Sequence, residues 1–157
     1  MLAATQQARA HVNIANAPVV FVGYGIDAPT RQWNDYQGLD VRGKIVIVLA
    51  NDPGEAGSPD SPLSRYGLAR YKFAEAARMG AAGCFIIHVA LASDHTWSAL
   101  RNASAGAAQS LPANVAPGPR LAVAGWLRHA AAERLFRAAG LDLDELTRAA
   151  AQPGSAE

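Results

Sequence analysis

An almost continuously apolar and β-branched run from Lys44 to Ala50 constrains the fold more than any other feature of the sequence. Such a continuous run predicts a central strand that is covered on both faces, as in parallel sheets. A helical pattern from about Tyr66 to Gly80 follows it, and then a second apolar run from Cys84 to His88. Strand, helix and strand in this order predict a parallel crossover. The sequence therefore predicts an α/β fold organised around this unit.

The helical pattern has two unlike faces. Small and apolar residues share the face that is predicted to lie on the sheet: Ala69, Phe73, Ala76, Ala77 and Gly80. Tyr71, Glu75 and Arg78 fall on the opposite face.

Weaker patterns predict the elements before this unit. Val19 to Val22 is predicted to be a strand that pairs with His11 to Ala15. Asp27 to Gly43 has neither helical nor strand periodicity, and we expect an ordered loop anchored by Trp33 and Tyr36.

The second half of the chain is predicted to close the fold. Leu91 to Arg120, rich in Ala, Ser, Gly and Pro, is expected to be mostly irregular, as an insertion or a mobile flap. A strand is predicted from Leu121 to Ala124 and a helix from Leu127 to Ala138. Asp142 then reads as the N-cap of a last helix, with Glu145 as its capping partner.

Length, charge and cysteine content limit the number of domains and the classes of partner that the chain can have. The 157 residues, 50% of them hydrophobic, predict one domain: an N-terminal extension or edge strand over 1–16, the domain over 17–151 and a flexible tail over 152–157. A net charge of +1 argues against nucleic acid and membrane as partners. No export signal is visible, which leaves the localisation open. Cys84 is the only cysteine, so the sequence predicts neither a disulfide nor a cysteine zinc site.

Three patterns could mark a binding or catalytic site, but each fits a structural role better. Gly23, Gly25 and Ala28 match a dinucleotide fingerprint, but no apolar helix follows to receive a pyrophosphate. His88 and His95, with Asp94, are too loosely spaced to predict a metal site, and a strand-end histidine is favoured. The aspartates of the loops fit turn chemistry, namely Asp27, Asp35, Asp40 and Asp52. No catalytic residue and no metal ligand is predicted.

One ordered string of motifs resembles a known family. It runs from Val20-Phe21-Val22-Gly23-Tyr24-Gly25-Ile26 through Trp33-Asn34-Asp35-Tyr36 to Gly38-Leu39-Asp40-Val41-Arg42-Gly43-Lys44-Ile45-Val46. It continues through Asn51-Asp52-Pro53-Gly54, Tyr71-Lys72-Phe73-Ala74-Glu75-Ala76-Ala77, Gly80-Ala81-Ala82-Gly83, His88 and Ala124-Gly125-Trp126. This string resembles the protease-associated domain of zinc aminopeptidases, in the family that includes glutamate carboxypeptidase.

The resemblance implies a swivelling β/β/α fold with a mixed sheet or open barrel flanked by helices. It implies a non-catalytic insert that gates or shapes peptide access in a parent aminopeptidase, which is possibly secreted or periplasmic. Zinc is expected in the flanking peptidase domain, and no cofactor is expected in this chain. The implied partners are that domain and its peptide substrate. The chain departs most from the family pattern at Ser58 to Ser64 and at Asn102 to Pro119.

Two other functions stay open. The first is a free-standing protein- or peptide-interaction module, suggested by the Pro-rich loops Glu55 to Ser64 and Ser93 to Arg120. The second, ranked last, is a phosphohistidine-type swivelling domain that uses His88 or His95. If the chain contacts a peptide, the loop residues Arg65, Tyr66 and Trp97 are the candidates, although packing roles for Tyr66 and Trp97 are the stronger expectation.

Overall fold

The computed structural model describes residues 1–5, 12–54, 61–88, 97–98, 100 and 118–152. The strands there are β1 (Leu2–Ala4), β2 (Val19–Phe21), β3 (Asp27–Ala28), β4 (Trp33–Asn34), β5 (Ile45–Leu49), β6 (Gly83–His88) and β7 (Val123–Arg128). The helices are α1 (Ala69–Arg78), α2 (His129–Ala138) and α3 (Leu143–Ala150), with 3₁₀ turns at Pro29–Arg31 and Ser64–Gly67.

Five strands form a mixed sheet in the order β1-β7-β6-β5-β2. β2, β5, β6 and β7 run parallel, and β1 lies antiparallel on β7. β3 and β4 form a separate two-stranded hairpin. The predicted α/β class and the parallel β5–α1–β6 crossover are confirmed. Within the described ranges the sheet is open and does not close into a barrel.

Helices cover both faces of the sheet, as the unbroken apolar run in β5 predicts. On one face α1 packs through Ala76 and Ala77 against Val46, Val48 and Ile86. On the other face α2 and α3 pack through Phe136 and Leu143 against Ile47, Leu49 and Ile87. The rings of Phe21 and Phe136 meet edge to face, with centroids 5.5 Å apart. Successive side chains of β5 thus enter two different cores.

Several predicted boundaries were wrong. Residues 12–15 form no strand, and β2 pairs with β5 instead, in parallel. The strand predicted at Leu121 to Ala124 extends from Val123 to Arg128, so the helix begins at His129 rather than Leu127. Ladder bonding to β6 holds the two residues Leu127 and Arg128 in the sheet.

Other local predictions were confirmed. Trp33 and Tyr36 are buried and anchor the loop over 27–43, which also contains the small hairpin. Asp142 is the N-cap of α3, and its carboxylate accepts hydrogen bonds from the backbone N–H groups of Asp144 and Glu145.

The face assignment of α1 was only partly correct. Ala76 and Ala77 are buried as predicted. Glu75 was predicted to face away from the sheet but is also buried, and Lys72 is buried beside it. Lys72 finds its partner outside the helix, at Tyr24, whereas Glu75 pairs with Arg78 of the same helix. Hydrophobic periodicity reveals neither contact.

Candidate binding surface at the carboxyl edge of the sheet

The parallel strands end together at one edge of the sheet. β5 is followed there by Asn51 and Asp52, β6 ends at His88, and β7 ends at Arg128. His88 and Arg128 are directly opposite each other in the β6–β7 register. In open α/β sheets this edge is where ligands bind, because loops of several strands converge on it. This edge is the carboxyl edge of the sheet.

Four side chains form an aromatic and cationic group at this edge. His88 meets Trp97 edge to face with ring centroids 5.8 Å apart, and meets Trp126 similarly at 6.4 Å. The guanidinium carbon of Arg128 lies 4.7 Å from the centroid of a Trp97 ring. His88, Trp97 and Trp126 are half-buried, and Arg128 is exposed. These four residues are the edge group.

The other two sequence-predicted contact residues lie on the 3₁₀ turn Ser64–Gly67. This turn packs against the end of β5, since a Cβ on Gly67 would lie 3.0 Å from the carbonyl carbon of Asn51. Arg65 is exposed and its guanidinium stacks on the Tyr66 ring at 4.6 Å. Arg65 and Tyr66 thus lie together, whereas Trp97 contacts His88 and Arg128.

Tyr66 serves mainly as a packing anchor. Its side chain is buried in a small cluster with Ile26, Trp33 and Leu63. Its ring also meets that of Tyr71 edge to face, 5.0 Å away. The guanidinium of the exposed Arg65 donates a hydrogen bond to the Tyr66 hydroxyl at 2.5 Å, so the two polar groups lie side by side.

A fully buried lysine lies beneath the loops that follow β2 and β5. Lys72 of α1 is 0% exposed, and its amine donates a hydrogen bond to the backbone carbonyl oxygen of Tyr24. Burial lowers the pKa of Lys72 to about 7, and the carboxylates of Asp35 and Asp52 act in the opposite direction. The amine is thus balanced between desolvation and attraction to two acids.

Asp35 lies beside the turn after β2, since a Cβ at Gly23 would lie 3.2 Å from one of its carboxylate oxygens. It accepts hydrogen bonds from the backbone N–H of Ile26 at 3.0 Å and from the indole N–H of Trp33 at 2.9 Å. Burial raises the pKa of Asp35 to about 6, although these two bonds and Lys72 all favour the ionised form. Its oxygens are committed to donors of its own loop.

Asp52 organises the loop after β5. One of its oxygens accepts from the backbone N–H of Gly54 at 2.9 Å and from the hydroxyl of Ser61 at 2.6 Å. The carboxylate thereby joins the two described ends of the segment that contains residues 55–60. This is the turn chemistry that the sequence predicts for Asp52.

The remaining predicted turn aspartates have ionic partners. Asp40 accepts from the backbone and the guanidinium of Arg42, at 3.2 and 3.1 Å. Asp27 pairs with Arg78 at 2.7 Å, and Arg78 also binds Glu75 through its guanidinium. Asp40 and Asp52 thus make the predicted turn contacts, whereas Asp27 lies in β3 and pairs with a residue of α1.

Gly23 and Gly25 form a tight turn rather than a phosphate loop. Gly25 has φ +66°, and a Cβ there would lie 2.7 Å from a methyl of Val48. The chain continues into the hairpin and the short 3₁₀ turn Pro29–Arg31 instead of an α-helix. The turn presents the Tyr24 carbonyl to Lys72.

The cysteine thiol is enclosed, and the described residues form no metal-ligating cluster. Cys84 is fully buried, which raises the pKa of its thiol to about 12. No cluster of three or more histidine, cysteine or carboxylate side chains suited to a metal ion occurs in the part of the chain that the structure describes. Asp94 and His95 lie outside the described residues. His129 is placed 3.6 Å from Glu133 on the same helix.

Sequence reasoning missed Arg128, Trp126 and Lys72 as functional or organising residues. Arg128 was not recognised as a strand end because the helix was predicted to begin at Leu127, one residue before it. The one usable signal was the predicted strand end at His88, since ends of neighbouring parallel strands share an edge.

Comparison of the chain with models of protein families, with curated proteins and with solved structures found no match in any of the three. Of the helices that the structure describes, none has the length and apolar character that a membrane crossing needs.

Proposed function

We propose that this chain is a non-catalytic domain of the protease-associated type, which shapes the access of peptides to a zinc aminopeptidase. The ordered string of motifs from Val20 to Trp126 supports the proposal, and so does the open α/β sheet. The observation that carries it is the edge group: an exposed arginine on a half-buried tryptophan, at the edge where loops converge. Such a surface suits contact with a peptide.

The enclosure of the reactive side chains supports a non-catalytic role. Lys72 and Cys84 are both 0% exposed, so neither reaches a substrate. Asp35 and Asp52 accept hydrogen bonds from donors of their own loops, which leaves them poorly placed as a general acid or base. The zinc-dependent chemistry would then reside in a flanking peptidase domain, as the resemblance implies.

The first experiment tests catalysis by the chain itself. Purified protein is supplied with zinc and incubated with a panel of amino-acid p-nitroanilides. We expect release of p-nitroaniline to match that of a boiled control. Hydrolysis above that control, removed by a chelator and restored by zinc, would overturn the proposal.

The second experiment tests the gating role. The genomic reading frame around this segment should encode a zinc peptidase domain. In the enzyme expressed from that frame, deletion of residues 17–151 should change the ratio of kcat/KM for dipeptide and longer peptide substrates. An unchanged ratio in a folded, zinc-loaded deletion variant would argue against gating.

A free-standing interaction module is the second candidate. The edge group favours it, because all four side chains belong to this chain and require no second domain. A reading frame without a peptidase, combined with peptide binding by the isolated chain, would favour this function over the first.

A further inference from the structure

The exposed guanidinium group of Arg128 lies over the Trp97 ring, which restricts the orientations that it can adopt. Arg128 is the last residue of β7 and immediately precedes α2, so regular structure constrains its backbone on both sides. Its guanidinium carbon lies 4.7 Å from the Trp97 ring centroid. Stacking uses the flat face of a guanidinium and leaves its N–H edges to meet an acceptor in the same plane. A carboxylate matches that edge with two parallel hydrogen bonds.

The electrostatic surroundings of Arg128 also favour an anion. The ion pairs found among the described residues use Arg42, Arg78 and His129 as their cations. The first turn of α2, which follows Arg128 directly, has no acidic residue and no side-chain cap. The partial positive charge of the helix N-terminus therefore adds to that of the guanidinium.

The neighbours of Arg128 indicate what the anion is attached to. Trp97, Trp126 and His88 give half-buried aromatic surface beside the cation. Aromatic surface next to a charge suits a peptide, whose side chain covers the rings while its carboxylate meets the arginine. A polyphosphate chain would call for a broad basic field, and the net charge of the chain is only +1.

We infer that Arg128, stacked on Trp97 beside His88, is the receptor for a carboxylate group of a peptide at the carboxyl edge. This rests on the proposed function and deepens it, because it names the chemical class of peptide that the surface selects. The carboxylate comes from the peptide C-terminus or from an acidic side chain.

The test uses the full 157-residue chain and four synthetic peptides. Two of them, acetyl-Ala-Phe-Ala with a free C-terminal acid and the same peptide as an amide, test the terminal carboxylate. The other two, acetyl-Ala-Phe-Glu-amide and acetyl-Ala-Phe-Gln-amide, test the side-chain carboxylate. Affinities are measured by isothermal titration calorimetry at low ionic strength, and inorganic phosphate is titrated as a separate probe.

Three variants locate the contact. Arg128→Gln should weaken binding of the carboxylate peptides by about tenfold or more, because a charge-assisted hydrogen bond is lost. Arg128→Lys should recover only part of this loss, since lysine keeps the charge but lacks the planar fork. Arg134→Gln removes one positive charge from an exposed site on the same helix and should leave the affinities unchanged.

Each outcome is decisive. Tighter binding of either acid than of its neutral partner, lost in Arg128→Gln, supports the inference and identifies the carboxylate source. Equal affinity for acids and neutral partners overturns it while leaving peptide binding and the proposed function intact. Absence of peptide binding, or phosphate binding that Arg128→Gln abolishes without any peptide preference, also overturns it. Failure of the proposed function would instead appear as zinc-dependent hydrolysis in the p-nitroanilide assay.

Discussion

The side-chain amine of Lys72 is hydrogen-bonded to the backbone carbonyl oxygen of Tyr24, in the interior of the protein. The bond links the middle of α1 to the turn after β2. Tyr24 lies in that turn, outside the strand ladder. A lysine in this position must lose its hydration, which costs free energy whenever it is charged. The desolvation of the charged Lys72 amine therefore lowers the stability of the fold at the point where these two elements are joined.

This cost predicts a stability that depends on pH through Lys72. Its pKa falls from 10.5 to about 7 on burial, so between these values the unfolded chain binds more protons at this site. The free energy of unfolding should therefore rise as the pH increases from about 7 towards 10, and this contribution should be lost as the pH falls through 7. Urea unfolding between about pH 6 and about pH 10, from below the folded-state pKa to just under the unfolded-state value, measures the rise.

Lys72→Met should remove that rise, because it removes the titrating group. The matched control is Lys44→Met at the other lysine of the chain, which should retain it. Asp35 acts in a separate window: its pKa is raised from 3.8 to about 6, so its contribution is lost as the pH rises through 6. Parallel pH profiles for wild type and Lys72→Met would contradict the role assigned to Lys72.

The turn that presents Tyr24 should be intolerant of a side chain at Gly25. Gly25→Ala combines a positive φ with a contact of 2.7 Å to Val48. Gly38→Ala provides the comparison, because Gly38 has φ +78° but nothing within 4 Å of an added Cβ. We expect Gly25→Ala to cost about 1 to 3 kcal/mol more than Gly38→Ala in the free energy of unfolding. Equal costs would mean that Val48 moves aside freely.

The cation that compensates the buried Glu75 should matter more than a similar one on the surface. Arg78 binds Glu75 and Asp27, whose side chains are 9% and 15% exposed. In Arg78→Ala both acids lose their partner, and we expect a loss of about 1 kcal/mol after allowing for the exposure of the arginine itself. Arg42→Ala breaks an ion pair between two exposed side chains and should produce no measurable change in thermal unfolding. Similar effects of both substitutions would show that burial of Glu75 does not depend on Arg78.

Trp97 should influence peptide affinity through Arg128. Trp97→Leu removes the ring on which the guanidinium is stacked, and we expect about threefold to tenfold weaker binding of acetyl-Ala-Phe-Ala acid. Trp97→Phe keeps an aromatic face and should retain most of the affinity. Calorimetry on both variants, with circular dichroism to verify folding, gives the measurement. Wild-type affinity in Trp97→Leu would show that Arg128 does not need the Trp97 ring to bind the carboxylate.

Structure was predictable from the sequence where the residues of one short segment determine it by themselves. β5 was predictable because burial on both faces leaves an unbroken apolar run, and the crossover to β6 followed from chain order. The Asp142 cap was predictable because its two donors lie two and three residues away. These features depend on local chemistry alone.

Features that join distant segments were not predictable in the same way. Lys72 is charged, so a helical pattern places it outside, yet its partner Tyr24 lies 48 residues away. Glu75 binds Arg78 on the next turn of α1, and Arg78 in turn binds Asp27, 51 residues away. The contact between Trp97 and Arg128 depends on the β6–β7 register, which pairs His88 with Arg128. Register depends on both strands, so the sequence of one strand does not determine which residues are paired.

The bonds that Asp52 makes to Gly54 and Ser61 have a consequence for the evolution and engineering of this chain. They bring Gly54 and Ser61, the residues on either side of 55–60, together on one carboxylate. The entropic cost of closing a loop grows slowly with its length. A foreign epitope or a fluorescent reporter grafted between these flanks would thus be displayed next to the carboxyl edge without altering the strand that supports it.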